Sequence, residues 1–257
     1  MHFYRIVFSI LIFLCGLAPA LSADVTYTYR VTDHFGPGAE ENRIEKLFIK
    51  NNKFKIDQDN QTAQIIDLDQ RTIFFLDYTH KEYSSLEFDQ IKADLNLKRE
   101  DVRAQFAQAS SEKGELSIQG LDLNDPSNES YHSVKRLGVS ENINGRKCEK
   151  ILIETTQNKI TSCAVSEIAG QDEFKRVIEL VNLYFGDTAF IQEAISTERI
   201  LVTQNLFPIK TVTEFSRNNN ISGFKEEKQL SDINSGELAA SVFEPPKNFR
   251  LSAGNSN

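Results

Sequence analysis

The sequence predicts an α+β domain that is mostly antiparallel β-sheet, and three patterns carry that prediction. Residues 24–33 alternate Val25, Tyr27, Tyr29 and Val31 with Thr26, Thr28 and Arg30, the period of a strand with one buried face. Between residues 43 and 86, strand-length runs follow one another across short polar turns. Phe174, Val177, Ile178, Val181, Tyr184 and Phe185 fall at the spacing of a helix with one apolar stripe.

Phe35-Gly36-Pro37-Gly38 ends the first strand. Residues 43–50 and 53–57 form a hairpin about Asn51-Asn52, and 64–68 and 72–78 another about Asp69-Gln70. Thr79-His80-Lys81 turns into 82–86, so the first part of the chain reads as an antiparallel meander. Residues 87–109 change period: Phe88, Ile91, Leu95, Val102 and Phe106 recur at helical multiples, predicting one or two amphipathic helices with a break at Asn96-Leu97. Strands are expected at 114–120 and 131–139, with the turn-rich loop 122–130 between them.

Residues 148–154 and 159–165 form the next hairpin. Asp172 is the candidate N-cap of the striped helix 172–185 and Gly186 its stop, and Asp187 opens a second short helix carrying Phe190, Ile191, Ala194 and Ile195. Strands at 209–216, 224–232 and 240–243 close the fold at Pro245-Pro246. With no linker and no fixed-period repeat, residues 24–250 read as one domain followed by a polar tail, 251–257.

The first 23 residues have a different character. His2 and Arg5 precede the apolar run 6–16, and small residues follow at Ala20-Leu21-Ser22-Ala23. This is the layout of a secretory signal peptide, cleaved after Ser22 or Ala23. The apolar run 6–20 is shorter than the roughly 20 residues a spanning helix needs, so no stable membrane insertion is expected. Ile12-Phe13-Leu14 ahead of Cys15 lacks the small residue of a lipidation site. The expected location is periplasmic or secreted.

Removing residues 1–23 leaves 28 basic and 37 acidic side chains, a net charge of −9. That balance argues against nucleic acid, whose binding needs Lys and Arg to neutralise phosphates. The chain has 18 Phe and no Trp, enough aromatic surface for a sizeable core or an apolar cavity. Cys148 and Cys163 flank the predicted hairpin, and an even pair in an oxidising compartment reads as a disulfide. Direct cross-strand pairing would centre the turn on Thr155-Thr156, whereas Gln157-Asn158 has the better turn chemistry; a bulge or a longer loop reconciles them. No His lies near either cysteine in sequence, so zinc is not implied.

Catalytic signatures are weak. Asp67, Asp69 and Asp77 read as turn carboxylates rather than calcium ligands, since no glycine opens a binding loop among them. His34, His80 and His132 stand outside any recognisable nucleophile, metal or phosphate motif, and no cofactor is implied. A hydrolase using His80 or His132 is the weakest of the three readings.

The run from Ile65 to Asp77 (IIDLDQRTIFFLD), followed by Lys81-Glu82-Tyr83, resembles a segment of exported bacterial proteins. These form a domain-of-unknown-function family related to the LolA/LolB lipoprotein carriers. Gly145-Arg146-Lys147-Cys148-Glu149-Lys150, Phe207-Pro208-Ile209-Lys210 and Phe243-Glu244-Pro245-Pro246 fit the same pattern. The resemblance implies a LolA-like half-barrel, a curved antiparallel sheet with helices over its concave face, in which the carriers shield acyl chains. It carries over no catalytic residue, and this chain lacks the lipid anchor that marks LolB.

The leading expectation is therefore an exported carrier for an acyl chain, a lipoprotein or another apolar ligand. The cavity would lie between Val177, Val181 and Phe185 of the helix and Val25, Tyr27, Phe48, Ile66 and Phe75 of the sheet. The alternative is an interaction module in which the same sheet holds an envelope protein.

Overall fold

Twelve strands form one open sheet: β1 (Val25–Phe35), β2 (Glu40–Lys50), β3 (Lys53–Gln58), β4 (Thr62–Asp67), β5 (Thr72–Asp77), β6 (Glu82–Glu87), β7 (Ser133–Ile143), β8 (Arg146–Glu154), β9 (Asn158–Val165), β10 (Phe207–Phe215), β11 (Phe224–Ser235) and β12 (Arg250–Leu251). Their order across the sheet is β12-β6-β5-β4-β3-β2-β1-β11-β10-β9-β8-β7. All neighbours are antiparallel except β12 on β6. Helix α1 (Gln171–Phe185) and helix α2 (197–203) follow β9. The computed structural model describes residues 24–36, 38–91, 93, 133–154, 158–185, 197–215 and 224–252, with side chains omitted at 182–185. The signal peptide, the helical pattern beyond 93, the strand at 114–120, the short helix after Asp187 and the tail from 253 lie outside the described residues.

Local chemistry explains the meander. Asn51, Arg71 and Lys81 take the left-handed backbone conformation at the β2–β3, β4–β5 and β5–β6 hairpins, and Asp59 and Asn60 take it at the β3–β4 hairpin. In the β4–β5 turn, Asp67 Oδ1 accepts hydrogen bonds from the amides of Asp69 and Gln70 at 3.0 and 2.9 Å, an Asx turn. Asn144-Gly145, both at positive φ, close the β7–β8 hairpin. That turn carries β7 four residues past the predicted end at 139.

Three boundaries differ from expectation. Helix α1 starts at Gln171, so Asp172 and Glu173 occupy its first turn, where they complement the helix dipole instead of capping it. Residues Ala240–Phe243 are a 3-10 turn rather than a strand, and Phe243 is buried. The cysteines are bonded, with Cα atoms 5.3 Å apart, but Lys150 rather than Cys148 faces Cys163 in the ladder. The bridge is thus diagonal, which lets Glu154 pair with Lys159 without centring the turn on Thr155-Thr156.

Register divides the side chains between two faces. Val25, Tyr27, Tyr29, Val31 and Asp33 point to the face carrying α1, here the inner face, and register extends that face to Leu47, Phe54, Ile66 and Ile73. The main core lies there and joins Val25, Tyr27, Phe54, Phe174, Val177, Val181 and Phe207. A second cluster packs Ile151, Ile153 and Ile160 against Ile200 and Leu201 of α2. On the outer face, Ala63, Ile65 and Leu76 are covered by Phe243, with Phe48, Tyr78 and Phe249 around them.

Candidate functional site

Where α1 meets the sheet, the interior is filled. The rings of Tyr27, Phe174 and Phe207 make a closed trio with centroids 4.8–6.2 Å apart. The Tyr27 hydroxyl donates to the carbonyl of Ala169 at 2.9 Å, and burial pushes its phenol far above the usual value. Val177 and Val181 are buried in the same cluster. The expected gap between these helix positions and Tyr27 is thus occupied by aromatic side chains. The side chain of Phe185 lies outside the described set.

The expected cavity residues do not all meet. Tyr27, Ile66 and Phe75 share the inner face. Phe48 does not: it pairs with Thr26 and Lys55, so it projects from the outer face, where the Lys55 ammonium sits 5.5 Å over its ring. A one-residue change of parity puts a side chain on the opposite side of a sheet. Phe48 therefore cannot share a cavity with Tyr27.

The inner face opens beyond the α1 core. On strands β3 to β6, a trough of about 440 Å³ is lined by Ile56, Gln58, Thr62, Gln64, Phe75 and Ser84. Phe75 is 36 % exposed there, an unusual setting for a phenylalanine on the face that elsewhere forms the core. The lining mixes the Phe75 ring and the Ile56 side chain with neutral hydrogen-bonding groups and with the carboxylates of Asp77 and Glu82, which are paired to His80 and Arg250. Such a surface suits an amphipathic guest better than a purely hydrocarbon one.

A charged layer adjoins the trough. Gln58 faces Glu45 across the β2–β3 ladder, and Glu45 is ion-paired to Lys228 on β11. The Lys228 ammonium also lies 4.5 Å from the Tyr29 ring centroid. Farther along, Arg43 bridges Asp33 and Glu226, the latter at 2.8 Å. Glu198 of α2 faces the same group, and burial raises its carboxyl above the ordinary range against the opposing pull of Lys228. The sequence reading missed this layer, though Asp33 and Phe35 continue the odd-numbered apolar parity of β1.

His80 belongs to a turn. Its Nδ1 is 2.7 Å from Asp77 Oδ2, while its amide donates to Asp77 Oδ1 at 2.9 Å. The partnership raises the imidazole and lowers the carboxyl, each mainly through their shared side-chain hydrogen bond. Both functions serve hairpin closure, and His132 lies outside the described residues. Among the described residues no group of three or more His, Cys, Asp or Glu side chains could hold a metal ion.

The family described as "Domain of unknown function (DUF4412)" matches residues 115–249, or 135 of the 257. The matched span includes β7 to β11 and both helices, whereas the trough-lining strands β3 to β6 precede it. No curated protein matches the sequence. Among solved structures, the LolA superfamily protein NE2245 from Nitrosomonas europaea is similar at 9 % identity and TM-score 0.35, over 86 % of this chain and 90 % of that one. A putative outer membrane lipoprotein-sorting protein domain from Vibrio parahaemolyticus is similar at 9 % identity and TM-score 0.37, over 92 % and 95 %. PNGF-II is similar at 10 % identity and TM-score 0.35, over 86 % of this chain but 30 % of PNGF-II.

Proposed function

The chain belongs to the DUF4412 family, a domain of unknown function, and we propose that it acts in the cell envelope as an exported binding or carrier protein for an acyl chain or another amphipathic apolar ligand. One observation carries the reading: an open sheet whose inner apolar face continues past its helical cover into a trough with Phe75 exposed. A volume of about 440 Å³ lies within the range of small-molecule pockets, roughly 300–1,000 Å³. Ile56 and Phe75 offer apolar contact, and Gln58, Gln64 and Ser84 offer donors and acceptors that would orient a polar head.

The signal-peptide pattern in residues 1–23 and the motif resemblance to lipoprotein carriers support the same reading. No described helix is long and apolar enough to cross a membrane. A lipoprotein would enter through its acyl groups. The test is to purify the protein from a secreting host without detergent and analyse the organic extract by mass spectrometry. Near-stoichiometric acyl species are expected. An extract free of them, together with no saturable uptake of a fluorescent fatty acid, would contradict the proposal.

A second reading has its own observation. Strand β7 ends the sheet paired only to β8 among the described residues, and it exposes Val134, Leu137 and Val139. An uncovered edge of this kind is a template for an added strand from a partner protein. Retention of binding to an envelope protein after loss of lipid binding would favour it.

A further inference from the structure

The charged layer and the rim above it share the inner face. Phe35 on β1, Phe224 on β11 and Phe215 on β10 occupy adjacent strands, with ring centroids 5.2 and 4.9 Å apart. Phe35 is 54 % and Phe215 38 % exposed, so three touching rings stand at the open end of the sheet in contact with water. Two residues inward on the same face, about 7 Å along each strand, come Asp33 below Phe35 and Glu226 below Phe224.

Asp33 is only 6 % exposed, and its Oδ1 has no hydrogen-bond partner among the described residues. Its other oxygen is held by Arg43, which is shared with Glu226. The layer holds the carboxylates of Asp33, Glu45, Glu198 and Glu226 with the cations of Arg43 and Lys228, and Glu41 lies opposite Asp33 in the β1–β2 ladder. A buried carboxylate oxygen without a donor is costly, and the cost falls when a cation or an N–H group reaches it. Phenylalanine rings attract cations over their faces. Carboxylates beneath aromatic rings are the combination that binds ammonium groups, whereas an anion would meet repulsion. The described acidic groups also lack the convergence a metal ion requires.

We infer that this rim is a subsite for an ammonium group, with Asp33 as its main carboxylate, Glu226 beside it and Phe35, Phe224 and Phe215 around its entrance. The inference rests on the carrier reading and sharpens it: among the apolar ligands the trough takes, one bearing an ammonium group binds most tightly, with its apolar part along the inner face toward Gln58 and the trough. Gln58 faces Glu45 in the β2–β3 ladder, so the charged layer and the trough adjoin on the inner face.

The experiment uses the mature chain loaded with the neutral dye N-phenylnaphthylamine. The dye is displaced by dodecylammonium, dodecyl sulfate or dodecyl maltoside, each below its micellar concentration. The ammonium is expected to compete about tenfold more tightly than the sulfate, the ratio set by one charge-assisted contact of some 1.4 kcal/mol. Asp33→Asn should erase most of that preference while leaving dodecyl maltoside unchanged. Glu237→Gln, at an exposed carboxylate outside the layer, should keep it, which separates the subsite from the overall negative charge.

Phe35→Ala, at an exposed ring that the fold can lose, should weaken the ammonium by about threefold and spare the sulfate. This variant decides the matter if Asp33→Asn does not fold. Equal or tighter binding of the sulfate, or an ammonium preference indifferent to both Asp33→Asn and Phe35→Ala, overturns the inference and leaves the carrier reading standing. Failure of the dye and all three detergents to bind overturns both.

Discussion

The Tyr27 hydroxyl and the backbone of Gly170 meet so closely that a Cβ on Gly170 would sit 2.8 Å from the phenol oxygen and 2.8 Å from the methyls of Val25. Gly170 also takes φ +76°, in the left-handed region. The turn before α1 is thereby pressed onto β1, and the Tyr27 hydrogen bond to Ala169 fixes it there.

Gly170→Ala should therefore destabilise strongly. Overpacking typically costs about 1–3 kcal/mol, and the left-handed backbone adds about 1–2 kcal/mol for a residue with a Cβ. Urea unfolding should show a loss of at least about 2 kcal/mol by these values. An unchanged midpoint would mean that α1 is not seated on β1 as described.

Phe48 and Phe75 should respond in opposite ways. Phe48→Ala removes a half-buried outer-face ring and should cost about 1–2 kcal/mol of stability, less than full burial is worth, while binding of a fluorescent fatty acid stays intact. Phe75→Ser, in the trough, should weaken that binding by about tenfold, the effect of some 1.4 kcal/mol. Loss of binding in the Phe48 variant with retention in the Phe75 variant would place the ligand on the wrong face.

The Cys148–Cys163 bridge should be worth a measurable amount. Native disulfides in small secreted domains contribute about 2–5 kcal/mol, and a sheet this extensive should sit near the low end. Cys163→Ser, compared with wild type by denaturant unfolding without reductant, reads this directly. Two free thiols in the denatured, unreduced wild type would remove the basis for the expectation.

The Asp77–His80 turn predicts a pH window. Asp77 is lowered, so its contribution is present above the ordinary carboxylate value of 3.8 and is lost as pH falls through the folded value below it. His80 is raised, so its contribution is complete below 6.5 and is lost as pH rises through the folded value above it. The pair thus supports the turn most fully between these limits. An NMR titration should find the His80 imidazole titrating above 6.5 in wild type and returning toward it in Asp77→Asn. No difference between the two proteins would sever the link.

Most of the meander was legible because three of its four turns carry recognisable local chemistry: Asn51-Asn52, Asp69-Gln70 and Thr79-His80-Lys81 mark hairpins whose strands the structure returns within a few residues, whereas the β3–β4 turn at Asp59-Asn60 went unread. The α1 stripe was legible for a similar reason, since its period is internal to the helix. Facing was harder. In β2 the run Leu47-Phe48-Ile49 is apolar at consecutive positions, so alternation alone does not say which side Phe48 takes; pairing with Thr26 does, and pairing is not local. The charged layer was missed because Asp33, Arg43, Glu45 and Lys228 look like solvent-facing residues until register places them on one face. The parity of Val25, Tyr27, Tyr29, Val31 and Asp33 was the signal that pointed to it.

The most direct measurement locates the ligand. Mature protein incubated with a diazirine-bearing fatty acid is irradiated, digested and mapped by mass spectrometry. Label on peptides carrying Ile56, Gln64, Phe75 and Ser84 is the predicted result, since these side chains line the trough. Label confined to the outer-face group of Phe48, Tyr78 and Phe249, or no label above that of an unfolded control, would contradict the account.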